Sequence, residues 1–97
     1  MKPVRLERKA VADLEHARSW YAERDAGVAL HFLSEVAQRL EQLATLPGLG
    51  PPWPGLEGMR RLTLRGFPFW IAYEEREADV IVWAVPHHRQ LPGAWRP

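Results

Sequence analysis

The stretch MRRLTLRGFPFWIAYEEREADVIVWAV, residues 59–85, runs with a period of two. Leu62 and Leu64 alternate with Arg61 and Thr63, and Phe67, Phe69, Ile71 and Tyr73 share one side while Trp70 takes the other. Successive side chains of a strand point to opposite faces, so this alternation predicts strands. Met59–Leu64 is expected to form one, with Gly66 as the turn, and Phe67–Tyr73 a second. Glu75–Asp79 reads as a solvated turn. Val80–Val85 is apolar on both faces, as a central strand is. Strands joined by turns this short form an antiparallel meander.

Working outward, PGLGPPWPGLEG (residues 47–58) holds four prolines and four glycines and excludes both helix and interior strand. It reads as a stiff cross-over, with Trp53 either pinned onto the core or presented outward. Before it, Val28, Phe32, Val36, Leu40 and Leu43 recur at helical spacing, widened by Ala29 and Leu33, and Pro47-Gly48 stops the pattern. Val11, Leu14, Ala17 and Tyr21 form an earlier helical stripe, and Asp25-Ala26-Gly27 interrupts the two. A link that short predicts an antiparallel helical hairpin. Val4 and Leu6 alternate with Arg5 and Glu7, a short first strand. The expected order is β-α-α-β-β-β, a two-layer α+β domain over residues 1–97 with the hairpin on a mainly antiparallel sheet.

Composition narrows the chemistry. The absence of cysteine removes disulfides and thiolate metal sites. The opening MKPVRLERKA lacks the apolar run of a signal peptide, and no stretch reaches a membrane span, so a cytoplasmic protein with no membrane partner is expected. Net charge is +1, unevenly spread. Residues 1–58 hold seven Lys or Arg against eight acids, and residues 59–97 six Arg against four. The late cations cluster at Arg60-Arg61-Arg65 and at Arg89 and Arg96.

His87-His88-Arg89 follows Val85-Pro86, where the last strand is expected to end because proline cannot donate to a ladder. Adjacent strand residues face opposite ways, and zinc needs three or four ligands, so no metal is expected there. Ser19 and Ser34 sit mid-helix with no nucleophile turn, which sets serine hydrolysis aside. No glycine pattern cradles phosphate, and no cofactor is expected. RNA cleavage by general acid–base catalysis needs an imidazole and phosphate-binding cations; its candidates are Arg61, Arg65, His87, His88 and Arg89. Against it stands the plain alternative of solvated arginines on strand faces.

The whole chain resembles the ParE/RelE superfamily of toxins from bacterial type II toxin–antitoxin systems. The resemblance is carried by ERKAVADLEHARSWYAER in the first helix, LPGLG closing the second, and GMRRLTLRGFPFWIAYEEREADVIVWAVPHHRQLPGAW after it. The matching positions are Arg60, Phe67-Pro68-Phe69, Ile71, Tyr73, His87 or His88, Arg89, Pro92 and Trp95. It implies a toxin neutralised by a cognate antitoxin in a hetero-oligomer, the antitoxin covering apolar surface for which Val11, Leu14, Phe32, Val36 and Leu40 are candidates, most of them expected to be core. The ParE side, which poisons DNA gyrase by binding, is the nearer resemblance. The only tyrosines are Tyr21 and Tyr73 and the only lysines Lys2 and Lys9, whereas several RNA-cutting relatives keep a C-terminal tyrosine and a lysine-rich strand. On that reading Arg60, Arg65, His87, Arg89 and Trp95 contact the target, with Trp95 also able to anchor the tail. A ribosome-dependent mRNA endonuclease is the alternative, and a non-toxic protein-binding module the second.

Overall fold

A computed structural model describes residues 1–90. Its elements are β1 (Val4–Leu6), α1 (Arg8–Arg24), α2 (Ala26–Thr45), β2 (Arg60–Thr63), β3 (Trp70–Glu75) and β4 (Val80–Ala84). The sheet order is β1-β4-β3-β2. β2, β3 and β4 form the antiparallel meander, and β1 lies parallel to β4 with Val4 opposite Val80. The fold is α+β in the expected order, with β4 central.

One residue separates the helices. Asp25 is extended; its N–H donates to Tyr21 O, ending α1, while its Oδ1 accepts from Gly27 N at 2.8 Å and Val28 N at 3.2 Å, capping α2. Ala26 and Gly27 are therefore the first turn of α2 and not part of the interruption. The α1 stripe holds at Leu14, Ala17 and Tyr21 and differs only at its start. Val11 is 54% exposed, and Ala10 takes its place with Ala17 in the core, small residues that let the helix lie close on the sheet. On α2, Ala29, Phe32, Val36 and Leu43 are buried, Leu40 is half-buried, and Val28 and Leu33 stay exposed.

The sheet has two covered faces. Under the helices, Leu62, Leu64, Phe67, Ile71, Tyr73, Val80, Val82 and Val85 meet Phe32, Val36 and Leu43. The opposite face carries Met59, Ala72 and Ala84, with Leu56, Trp70 and Trp83 packed beside them, and the proline-rich loop lays Trp53 onto it, 4% exposed. Trp53 is thus pinned onto the core. The loop also pairs along β2, with Arg61 N donating to Pro51 O and Trp53 N to Met59 O. Tyr73 Oη fixes the loop's start by donating to Pro47 O and accepting from Gly50 N, each at 2.8 Å. Burial pushes the Tyr73 hydroxyl's pKa up, which keeps it a donor. At Gly50 an added Cβ would lie 2.4 Å from Arg61 O, so only glycine allows this approach.

Two strand boundaries differ from the alternation. β3 begins at Trp70, because Gly66 at φ +81 and Pro68 turn residues 65–68 out of the ladder; Phe67 and Phe69 still face the helices. At its other end β3 continues to Glu75, and a register shift between Ala72 and Tyr73 leaves Trp83 extra opposite them. Among the described residues, no helix is long and apolar enough to cross a membrane.

Candidate functional site

The chain does not leave the sheet at Pro86. Trp70 N donates to Pro86 O at 3.0 Å, Phe69 and His87 bridge, and His88 N donates to Pro68 O at 2.8 Å. Pro86 removes one donor from the ladder, but its carbonyl still accepts, so pairing runs two residues past it. The strand itself ends at Ala84, ahead of the proline as expected; what continues beyond it is an isolated bridge.

The extension sorts the histidines by face. His87 sits edge-on to Phe69 on the helix side at 5.1 Å, while His88 lies against Trp70 on the loop-covered side at 4.4 Å. His87 then closes a tight turn: Gln90 N donates to its carbonyl, its own N–H donates to Gln90 Oε1, and its Nδ1 accepts from Arg89 N at 3.1 Å. An Nδ1 engaged as acceptor is unprotonated, so neutral His87 carries its proton on Nε2. That ring can donate from Nε2, and its lone pair is already committed.

The arginines separate as well. Arg61 lies over the rings of Trp70 and Trp53, 5.2 and 5.6 Å from their centroids, on the face of His88. Arg60 donates from Nη1 to Gly50 O at 2.8 Å, committing part of its guanidinium to the loop. Arg65 is exposed at the tip of the β2–β3 turn, and Arg89 is exposed beyond His87. The structure therefore brings Arg61 to His88 and Arg89 to His87, and leaves Arg65 alone at its turn. Trp95 lies outside the described residues.

Between α1 and this end of the sheet opens a cleft of about 500 Å³. His16, Trp20 and Tyr21 line one wall, and Phe69, His87 and Arg89 the other. Asp13 closes its floor: Oδ2 accepts from Val85 N at 2.9 Å and Oδ1 pairs with Lys9. Its charge is thereby balanced. Trp20 is 47% exposed, and Arg24 stacks on it with the guanidinium carbon 3.6 Å from the ring centroid while donating to Trp20 O. Trp20 and His16 line this cleft but are not among the residues that the sequence singles out as site candidates. The available signal was an indole beside, not on, the apolar stripe of an amphipathic helix. Of the hairpin residues offered as candidate antitoxin surface, most are core or half-buried as expected: Phe32 and Val36 are buried, Leu14 and Leu40 half-buried, and only Val11 is open.

The family model described as "ParE toxin of type II toxin-antitoxin system, parDE" matches residues 4–92. Among solved structures, the chain is similar to one titled "Chromosomal ParDE TA system from P. aeruginosa", with 22% identity, a TM-score of 0.77, and coverage of 90% of this chain and 96% of that one. No match was found among curated proteins.

Proposed function

The chain belongs to the ParE toxin family of type II toxin–antitoxin systems, and from that premise we propose that it arrests growth in the cytoplasm by binding DNA gyrase, without cutting a substrate. One observation carries this reading: the residues available for RNA cleavage are dispersed. Arg61 and His88 lie on one sheet face, His87 on the other with its Nδ1 occupied, and Arg65 at a separate turn. Acid–base cleavage needs two proton-transfer groups and cations converging within hydrogen-bond reach of one phosphate. Binding needs only a set of accessible contacts, which exposed Arg65 and Arg89 and half-buried His87 provide.

The second reading is ribosome-dependent mRNA cleavage. The observation in its favour is the open cleft holding His87 beside Arg89. Pulse labelling after controlled induction separates the readings. Thymidine incorporation falling first fits gyrase; methionine incorporation falling first replaces it with the ribosome. A culture in which neither falls removes the toxin mechanism and leaves a protein-binding module.

A cognate antitoxin is the proposed partner, in a hetero-oligomer. The cleft beside α1 suits it: aromatic walls for an apolar anchor, cations at Arg24 and Arg89, and an Asp13 already balanced by Lys9. An antitoxin segment with an apolar side chain and a nearby carboxylate fits those walls. Trp20→Ala is expected to weaken the toxin–antitoxin complex about tenfold or more, as loss of a buried aromatic anchor does, while leaving growth inhibition by the free chain unchanged. Calorimetry on the purified pair reads the first effect and induction without antitoxin the second.

A further inference from the structure

The β2–β3 turn is gripped by α2 through groups that its own hairpin does not use. Arg65 N–H points away from the ladder and donates to Glu35 Oε2 at 2.6 Å. The carbonyl of Thr63 accepts from both Nε and Nη2 of Arg39, at 3.2 and 2.9 Å. Glu35 and Arg39 are one helical turn apart and pair at 3.4 Å. Gln42 Oε1 takes the remaining Arg39 nitrogen, Nη1, at 3.0 Å.

Glu35 is the one buried charged residue among those described, 6% exposed. It lies in the apolar stripe between Phe32 and Val36. A buried ion pair adds little net stability over well-packed apolar side chains, so stability alone does not account for it. What it does supply is direction. Two hydrogen-bonding groups of the turn, two residues apart, are set against two side chains of one rigid helix. The Arg65 side chain emerges from that fixed backbone into solvent, and its guanidinium has no hydrogen-bond or ion-pair partner among the described residues.

We propose that Glu35 and Arg39 are positioning residues: together they fix the pose of the β2–β3 turn and thereby the direction in which Arg65 meets an acidic group on the toxin's target. The proposal rests on the reading that Arg65 is a target contact. A guanidinium engages a carboxylate or phosphate through a planar fork, so its value depends on approach angle as well as on charge.

The experiment is a double-mutant cycle on the full chain, read as the inducer dose giving half-maximal growth inhibition. Arg65→Ala is expected to raise that dose about tenfold, and Glu35→Ala by a similar factor, as loss of orientation at a contact does. In the Arg65→Ala background, Glu35→Ala adds nothing, because it acts through a side chain no longer present. Glu35→Gln recovers most of the loss, since its amide oxygen still accepts from Arg65 N. Thermal midpoints of the purified variants confirm that folded proteins are compared; where Glu35→Ala does not fold, Arg39→Met takes its place in the cycle. Full toxicity in Arg65→Ala overturns the target-contact reading and this inference with it. A toxic loss in Arg65→Ala with an equal further loss from Glu35→Ala in both backgrounds overturns the positioning role alone.

Discussion

The β2–β3 and β3–β4 turns are both short and charged, yet they dispose of their polar groups in opposite ways. At β3–β4 the charges are paired, Glu77 excepted. Arg76 Nε pairs with Asp79 Oδ1 at 3.1 Å, Arg5 reaches Asp79 Oδ2 at 3.4 Å, and Lys2 joins Glu75 to the carbonyl of Arg76. At β2–β3 the backbone is gripped and the charge is left open. Arg65 N and Thr63 O are held by α2, and the Phe67 ring sits 5.2 Å from those of Tyr21 and Phe32 and 5.4 Å from that of His31. Exposed ion pairs contribute little to stability, so a turn that spends its charges on itself is surface. A turn anchored through its backbone and one aromatic ring, with its cation free, fits the proposal that Arg65 is a target contact.

The strongest way to break this contrast is to remove the displayed charge. Replacing Arg65 and Arg89 together by alanine should abolish growth inhibition while the circular dichroism spectrum and thermal midpoint stay near those of the parent. A fully toxic double variant would mean that both turns are surface. Next in size is the anchor. Phe67→Ala empties a buried aromatic site and is expected to cost about 3–5 kcal/mol of unfolding free energy, as large-to-small core changes do. Chemical denaturation measures it, and a loss below about 1 kcal/mol would show that the turn is not fastened through Phe67.

How much of this difference was legible in the sequence follows from what sets each feature. Alternation at Leu62–Leu64 and Phe67–Tyr73 and the helical stripes on α1 and α2 reflect one-dimensional periodicity, and they placed the layers and most facing side chains, Val11, Val28 and Leu33 excepted. The same pattern could not choose between Ala10 and Val11, because both fit a helical stripe and only the closeness of the sheet decides. It could not see past Pro86, because a proline's missing donor is written in the sequence while the free acceptor opposite Trp70 is a tertiary fact. Nothing in the local pattern singles out Glu35; its partners are 28 and 30 residues further along, at Thr63 through Arg39 and at Arg65 directly. The sequence offered Arg60, Arg61, Arg65 and Arg89 as candidate cations, but whether each is committed, as Arg60 is to Gly50 and Arg61 to the tryptophans, depends on loop packing that no local spacing encodes.

The smallest effect belongs to the other turn, and its pH dependence has a definite sign. The hydrogen bond from Arg76 holds the Asp79 carboxyl below its ordinary pKa; partial desolvation opposes this, and the charges of Arg76 and Arg5 reinforce it. A carboxyl depressed in the folded state contributes stability above its unfolded pKa and loses that contribution as pH falls through the folded one. Asp79→Asn should therefore lower the thermal midpoint slightly at neutral pH, by about two degrees or less. The gap to the parent should close as the pH falls out of the ordinary carboxylate range and through the lowered folded value, where the parent's own carboxyl takes up its proton. Salt near 1 M should close it as well, because the pair is at the surface. Growth inhibition should be indifferent to the change. If Asp79→Asn instead impaired toxicity as strongly as Arg65→Ala, the β3–β4 turn would be a display surface too, and internal charge pairing would no longer distinguish structural turns from functional ones in this fold.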